Sequence, residues 1–298
     1  MYSYTRLGRT FFYIPVHTSI SSRNFVHKLQ HEDSQEANVQ KAVARKKLQP
    51  DERMPPINVH EKIFLCLDVT PSCSKISLYP GKDVEPLLLL KQSVLIFINN
   101  KLNWSPQTQI SIILLNGSSA VTYCPLTDRK DKLIDSIKRI HVPPGDGDTS
   151  MEDDEEDFCL DGLLKLMMNV ELPECKDKKT LPAFIARGIF FYGRTKFLSI
   201  RNSTDNFKMF IDSPYFIFDS LFLHEDELDE SVRVQIISTL SKLDNGYSYI
   251  LETDNSAVNF MNAFSLLSSH PLQRPHQSEI KNDIMSYKKS LKLQNLVS

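Results

Sequence analysis

Two kinds of hydrophobic spacing organise the chain from about residue 59 onward. Continuous apolar runs that stop at a turn mark strands buried on both faces, and apolar positions three and four apart mark helices packed against them. The first run covers residues 62–67 (KIFLCL) and ends at Asp68, with Val69, Thr70, Pro71 and Ser72 following. Residues 84–101 place Leu87, Leu88, Val94, Leu95 and Ile98 close to helical spacing, and 108–115 (TQISIILL) predict a second buried strand. The Asn116-Gly117 pair is a hairpin signal, so 119–124 predict an antiparallel partner for that strand. An amphipathic helix follows over 127–140, with Leu133, Ile134, Ile137 and Ile140 on one face and Thr127 as its N-cap. Beyond it the pattern predicts a helix at 158–170, strands at 183–192 and 214–224, a charged helix at 230–243, a strand at 247–252 and a helix at 256–268. Strands alternating with helices predict an α/β fold: a doubly wound, mostly parallel sheet with one antiparallel edge strand and helices on both faces.

Both flanks break the pattern. Residues 1–31 carry Arg6, Arg9, Arg23 and Lys28 with no acid, and 32–58 are polar and bounded by Pro50, Pro55 and Pro56. A basic start poor in acids is also what a transit peptide looks like, but it lacks a clean amphipathic period, so 1–58 read as a disordered arm and linker. The folded domain is expected over 59–269. From His270 the string His270-Pro271-Leu272-Gln273-Arg274-Pro275 forbids a helix, and 278–298 hold a weak helical pattern that cannot form a core alone. Such a tail is either disordered or an extended segment that orders on a partner.

Composition narrows the function classes. The 298 residues, 41% of them hydrophobic, suffice for a full core. A formal charge of −2 gives no case for nucleic acid as a partner. No apolar run approaches the roughly 18 residues of a membrane-spanning helix. The five cysteines form no C-x-x-C pair, which argues for a reducing compartment and against a disulfide framework or zinc knuckle. Nucleophile elbows, phosphate loops, dinucleotide fingerprints and zinc-protease helices are all missing from the sequence, so no catalytic residue is assigned. Asp219, inside an apolar strand, reads as a satisfied core polar group or a bend, and His60 and His224 read as strand-end residues.

One stretch does suggest chemistry. Asp68 ends a strand, and Thr70 and Ser72 put hydroxyls two and four positions later, three oxygens of the kind that suit magnesium. This pattern, heading a sheet with a hairpin-paired strand, resembles the von Willebrand factor A fold. That family completes its metal site with a threonine from a second loop and an aspartate from a third. Here the matching positions are Asp157 in the second loop and Gly193-Arg194 in the third, and an arginine there competes with a cation. The expectation is therefore a degenerate metal site at Asp68, Thr70 and Ser72 with no bound metal or other cofactor. The alternative is a ligand-binding domain that uses magnesium at those residues. The acidic loop at 143–157 has near-calcium-loop spacing, but Met151 replaces the glycine that the sharp turn needs.

Taken in order, residues 61–68, the Leu160–Leu163 helix start, residues 214–219 and the His270–Pro275 string resemble the MERIT-forty family of scaffold subunits, members of the BRISC and BRCA-A complexes. The resemblance runs over about residues 57–280. It implies a non-catalytic von Willebrand A-like subunit, cytoplasmic and nuclear, in assemblies that cleave lysine-sixty-three-linked ubiquitin chains and act at DNA double-strand breaks. It also implies direct contact with the ubiquitin-fold BRE-type subunit. A JAMM-type zinc deubiquitinase and an MPN-fold scaffold are the implied companions in the same complex. His270, Pro271, Leu272, Gln273, Arg274 and Pro275 are the expected partner-binding residues.

Overall fold

The computed structural model describes residues 58–69, 71–72, 75–79, 81–141, 157–174, 181–225, 227–277 and 279–280. The arm at 1–57, Thr70, most of the acidic loop and residues 281–298 lie outside them. In chain order the described elements are β1 (His60–Asp68), β2 (Ile76–Tyr79), β3 (Lys82–Val84), α1 (Pro86–Trp104), β4 (Gln109–Asn116), β5 (Ser119–Thr127), α2 (Lys130–Arg139), β6 (Phe158–Cys159), α3 (Leu160–Met168), β7 (Phe184–Tyr192), β8 (Leu198–Ser199), α4 (Asp205–Ile211), β9 (Phe216–Leu223), α5 (Glu230–Ser241), β10 (Ile250–Thr253) and α6 (Ala257–Leu267).

Six strands form the main sheet, in the order β10-β9-β7-β1-β4-β5. Only β5 is antiparallel, pairing with β4 through the Asn116-Gly117 turn. The parallel register runs Leu65 to Ile112 on one side of β1 and Leu65 to Ile189 on the other. Central parallel strands are covered on both faces, which is why β1, β7 and β9 carry nearly unbroken apolar runs. One face takes the aliphatic core, where Ile63, Leu65, Ile189 and Leu221 meet Phe97 of α1 and Phe264 of α6. The opposite face is aromatic, with Phe190, Tyr192, Phe218 and Phe222 in a chain of ring contacts that Phe158 joins. Gly188 permits this packing, because a Cβ there would lie 2.7 Å from the Phe218 ring.

Four differences from the sequence reading have physical causes. The strand expected over 119–124 runs on to Thr127, so Thr127 is not a helix N-cap. Its hydroxyl instead accepts the Arg129 N–H in a turn before α2. The helix expected from residue 158 starts at Leu160, because Phe158 and Cys159 pair with Leu198 and Ser199. The β2–β3 hairpin and the short α4 were not anticipated, being too brief to show a period. Finally, the fold does not end at residue 269. His270, Leu272, His276 and Gln277 are buried, and Leu272 packs with Val59, Ile185, Tyr215 and Ile217.

Candidate functional site

Two polar clusters interrupt this apolar sheet, one at each end of β1. At the carboxyl end is Asp68, 3% exposed. A carboxylate so far from water needs a positive partner and filled hydrogen bonds. Arg194, from the loop after β7, supplies both. Its Nε lies 3.0 and 3.1 Å from the two carboxylate oxygens, and its Nη2 donates to Oδ1 at 2.9 Å. The Gly193 N–H adds a bond to Oδ2 at 3.2 Å. The third donor arm, Nη1, donates to the Gly117 carbonyl in the β4–β5 turn.

The loops after β1 and β7 are also stitched directly. The Ser72 N–H donates to the Gly193 carbonyl at 2.6 Å, and the Ser72 hydroxyl accepts the Thr195 N–H at 3.2 Å. A Cβ on Gly193 would sit 2.6 Å from Pro71 Cβ, so only glycine lets the loops come this close. Phe158, just before α3, lies 5.4 Å from the guanidinium. Nearby, burial pushes the Tyr192 phenol up, the Arg194 charge opposing and the Asp68 and Asp157 charges adding to it. Its hydroxyl donates to the Lys196 carbonyl at 2.8 Å.

These residues do not fit a divalent cation. Magnesium needs several oxygen donors in near-octahedral geometry. Here both Asp68 oxygens accept N–H donors, the Ser72 hydroxyl faces an amide, and the position that needs an acid holds a cation. Among the described residues no cluster of three or more His, Cys, Asp or Glu side chains comes together.

The second cluster lies at the amino end of β1, and the sequence reading missed most of it. Arg187 of β7, fully buried, donates to Asp219 of β9 through Nε at 2.8 Å and to Glu61 of β1 through Nη1 at 3.1 Å. Its remaining N–H groups donate to the Leu267 and Ser269 carbonyls at 2.7 and 3.1 Å, closing the C-terminal end of α6. Lys101, in the last turn of α1, pairs with Glu61. Arg274 closes the group. Both its Nη atoms bond the Asp219 carboxylate, Nη2 also donates to the Tyr247 carbonyl at 2.8 Å, and the guanidinium lies over the Tyr249 ring at 3.7 Å. Burial alone would raise the Glu61 and Asp219 carboxyls. The cations win, Lys101 and Arg187 holding Glu61 below the ordinary range and Arg274 and Arg187 doing the same for Asp219. The available signal was opposite charges inside two neighbouring apolar strands, FIARGIFFY and FIFDSLFL, each costly unless it meets the other.

This cluster fixes where the predicted partner-binding string lies. His270 Nε2 bonds the Val59 carbonyl at 2.9 Å and its Nδ1 accepts the Leu272 N–H, Arg274 is tied to Asp219, and the Tyr249 hydroxyl donates to the Pro275 carbonyl. Gln277 then bonds both the N–H and the carbonyl of Ile250, covering part of the exposed edge of β10. Within the string only Gln273 and Pro275 are exposed.

A six-strand, mostly parallel sheet in this order with a single antiparallel edge strand has a von Willebrand factor A-like fold, and here an arginine lies on the aspartate that ends the central strand. No protein-family model matches the chain. It is similar to curated proteins named "BRISC and BRCA1-A complex member 1". It is 27% identical to that of Xenopus tropicalis over 76% of this chain and 70% of the relative. It is 25% identical to that of Danio rerio over 78% and 63%, and 24% identical to that of Homo sapiens over 78% and 70%. Among solved structures, the SpRpn10 VWA domain aligns over 73% of this chain and 99% of its own, at 14% identity and a TM-score of 0.42. The TFIIH p34 N-terminal domain aligns over 70% and 98%, at 17% identity and a TM-score of 0.44. Among the described residues no helix is long and apolar enough to cross a membrane.

Proposed function

We propose that the chain is a non-catalytic scaffold subunit of a deubiquitinase assembly of the BRISC and BRCA1-A kind. The observation that carries this reading is the similarity to proteins named as members of those complexes, spread over three quarters of the chain. The Asp68–Arg194 pair supports it, since a closed cation site suits a domain that acts by surface contact rather than by metal-borne ligation. In this role the subunit contacts a BRE-type ubiquitin-fold partner and stabilises an assembly in which a JAMM-type zinc enzyme cuts lysine-sixty-three-linked chains beside an MPN-fold scaffold. It works in both cytoplasm and nucleus, where the nuclear assembly supports signalling at double-strand breaks.

The docking surface is proposed at the amino end of the sheet, around the 270–275 string. Its buried members, His270, Leu272 and Arg274, hold the segment in place, and Gln273 and Pro275 face outward. Size-exclusion chromatography of the tagged chain from cells, followed by mass spectrometry, tests the reading. Co-elution with a JAMM-type enzyme and a BRE-type subunit is the expected result. Elution alone, or lysine-sixty-three-linked chain cleavage by the purified chain, refutes it.

A further inference from the structure

We propose that the residues after Ile280 continue a helix the fold has already begun, and that this helix lays Ile284, Tyr287 and Leu291 along the flank of α6 that faces away from α1. The start of the helix is built at the edge of the sheet. Gln277, Glu279 and Ile280 are helical. The Glu279 N–H donates to the His276 carbonyl at 2.9 Å, and the Glu279 carboxylate accepts the His276 N–H at 3.2 Å. The second bond is the return contact of a capping box, in which the third helical residue reaches back to the residue before the first. Two bonds between Gln277 and Ile250 fix this turn against β10, and Ile280 packs on the aliphatic core. A short helix is marginal in water by itself, so one that starts here needs a surface to run along.

Sequence and surface agree on which surface that is. Ile280, Ile284, Tyr287 and Leu291 recur at steps of four, three and four and so share one helical face, while Lys281, Lys288, Lys289 and Lys292 turn to other sides. At 1.5 Å per residue the stripe is about 16 Å long, close to the length of α6 with its 11 residues. That helix reads AVNFMNAFSLL and has no charged side chain, whereas α2 exposes Asp131, Lys132, Asp135, Lys138 and Arg139. Ala257, Phe260, Phe264 and Leu267 form its buried side, and Met261 marks the side toward α1, its sulfur 3.2 Å from the Ser93 hydroxyl. Helical geometry then turns Asn259, Ala263 and Leu266 away from α1. Ala263 and Leu266 are half-buried and, like Ile280, pack on the margin of the aliphatic core. An outer helix side without charge suits a covered surface better than an open one. The chain's own segment is the occupant, because Gln277 and Ile280 deliver it beside β10, which α6 contacts, and a tethered helix has a high effective concentration at its seat. This goes beyond the proposed scaffold role and does not rest on it.

Hydrogen exchange and hydroxyl-radical footprinting of the full chain test the assignment. The amides of residues 283–291 are expected to exchange at least about tenfold more slowly than an unstructured chain, at every protein concentration tried. Ile284→Glu combined with Leu291→Glu changes only positions beyond the described fold, and should return those amides to the unstructured rate. The same variant should raise radical labelling of Leu266 on α6 and leave that of the exposed Val121 on β5 unchanged. Ala263→Glu, which alters the seat rather than the segment, should release the same amides. Wild-type exchange of 283–291 at the unstructured rate overturns the proposal. Protection that fades on dilution would give the seat to a second copy of the chain, and lost protection without a change at Leu266 would put the helix elsewhere. Either result overturns the proposal as well.

Discussion

At the scale of single residues, His224 and His270 sit at opposite ends of the sheet and are driven in opposite directions. Burial pulls both toward the neutral form. At His224, just past β9, the Glu252 carboxylate lies 2.9 Å from Nε2 and the Glu225 carbonyl 2.8 Å from Nδ1, and together they lift its pKa above the ordinary value. At His270 burial wins over Glu61, and Lys101 and Arg187 add to it, so its pKa falls. The hydrogen bonds agree, since His270 Nδ1 accepts the Leu272 N–H and a proton there would meet a donor. The signs follow by linkage. Stability from His224 is complete below the unfolded histidine pKa and fades as pH rises through its raised folded value. Stability from His270 is complete above the unfolded pKa and fades as pH falls toward its lowered one. Glu252, lowered to about 2 by its hydrogen bonds to His224 and Arg233 against the pull of burial, contributes above the unfolded carboxylate range and is lost as pH falls toward about 2. Histidine NMR titration should therefore place His224 above His270, and Glu252→Gln should lower the His224 value. Identical titration of the two rings would contradict these environments.

The buried charges of the second cluster support an asymmetry at the same scale. Lys101, Arg187 and Arg274 are three cations facing two anions, Glu61 and Asp219, a surplus of one positive charge. Removing an anion therefore leaves more uncompensated charge than removing a cation. Both changes break a buried pair, which typically costs about 3–5 kcal/mol. Arg274→Met should fall at the low end, because Asp219 keeps Arg187, and Asp219→Asn at the high end, because two guanidinium groups lose their carboxylate. Urea unfolding of the two variants measures the difference, and the reverse order would mean that solvent reaches the cluster.

At the scale of elements, the legibility of the sequence followed element length and burial. Strands β1, β4, β7 and β9 and helices α1, α5 and α6 are long enough for period or unbroken run to show, and the Asn116-Gly117 pair announces the single antiparallel strand. The β2–β3 hairpin, β6, β8 and α4 are shorter than the window over which a period can be recognised. The segment after α6 failed for another reason. Two prolines and mixed polarity resemble a free tail, whereas what secures it is tertiary: Asp219 lies 55 positions before Arg274, and Val59 lies 211 before His270. Nothing local in His270–Pro275 reveals those partners. At the Asp68 end the sequence showed only an arginine expected to compete with a cation, and its bonds to the Asp68 carboxylate and the Gly117 carbonyl were not foreseen. A chain ending at Ser269 should accordingly lose more than about 3 kcal/mol of stability, through an underpaired Asp219 and the missing Leu272 side chain. A chain ending at Ile280 keeps every contact just named. Denaturant titration of the two truncations separates a structural segment from a dispensable tail, and equal midpoints would favour the tail.

At the scale of the whole molecule, the parallel sheet has two differently sealed ends, so the proposed docking residues can be varied apart from the Asp68 end. The carboxyl end is closed over Asp68 by an internal guanidinium that bonds the Asp68 carboxylate and the Gly117 carbonyl. The amino end is closed by the charge cluster, but the segment it secures leaves Gln273 and Pro275 at the surface. The roles assigned to these two residues can be tested without damaging the fold. Neither side chain is buried, and the Pro275 carbonyl that receives the Tyr249 hydroxyl is backbone, so it survives substitution. Changes at exposed positions of this kind usually alter stability by less than about 0.5 kcal/mol. Gln273→Glu combined with Pro275→Ala should therefore melt like the wild type yet recover less of the BRE-type partner in a pull-down, about tenfold less if the pair supplies near 1.4 kcal/mol of the contact. A control pairing Asp68→Asn with Arg194→Met, which removes both charges at the opposite end, should leave partner recovery unchanged in whatever fraction remains folded. Loss of partner in the control and not in the surface variant would move the docking face to the carboxyl end of the sheet.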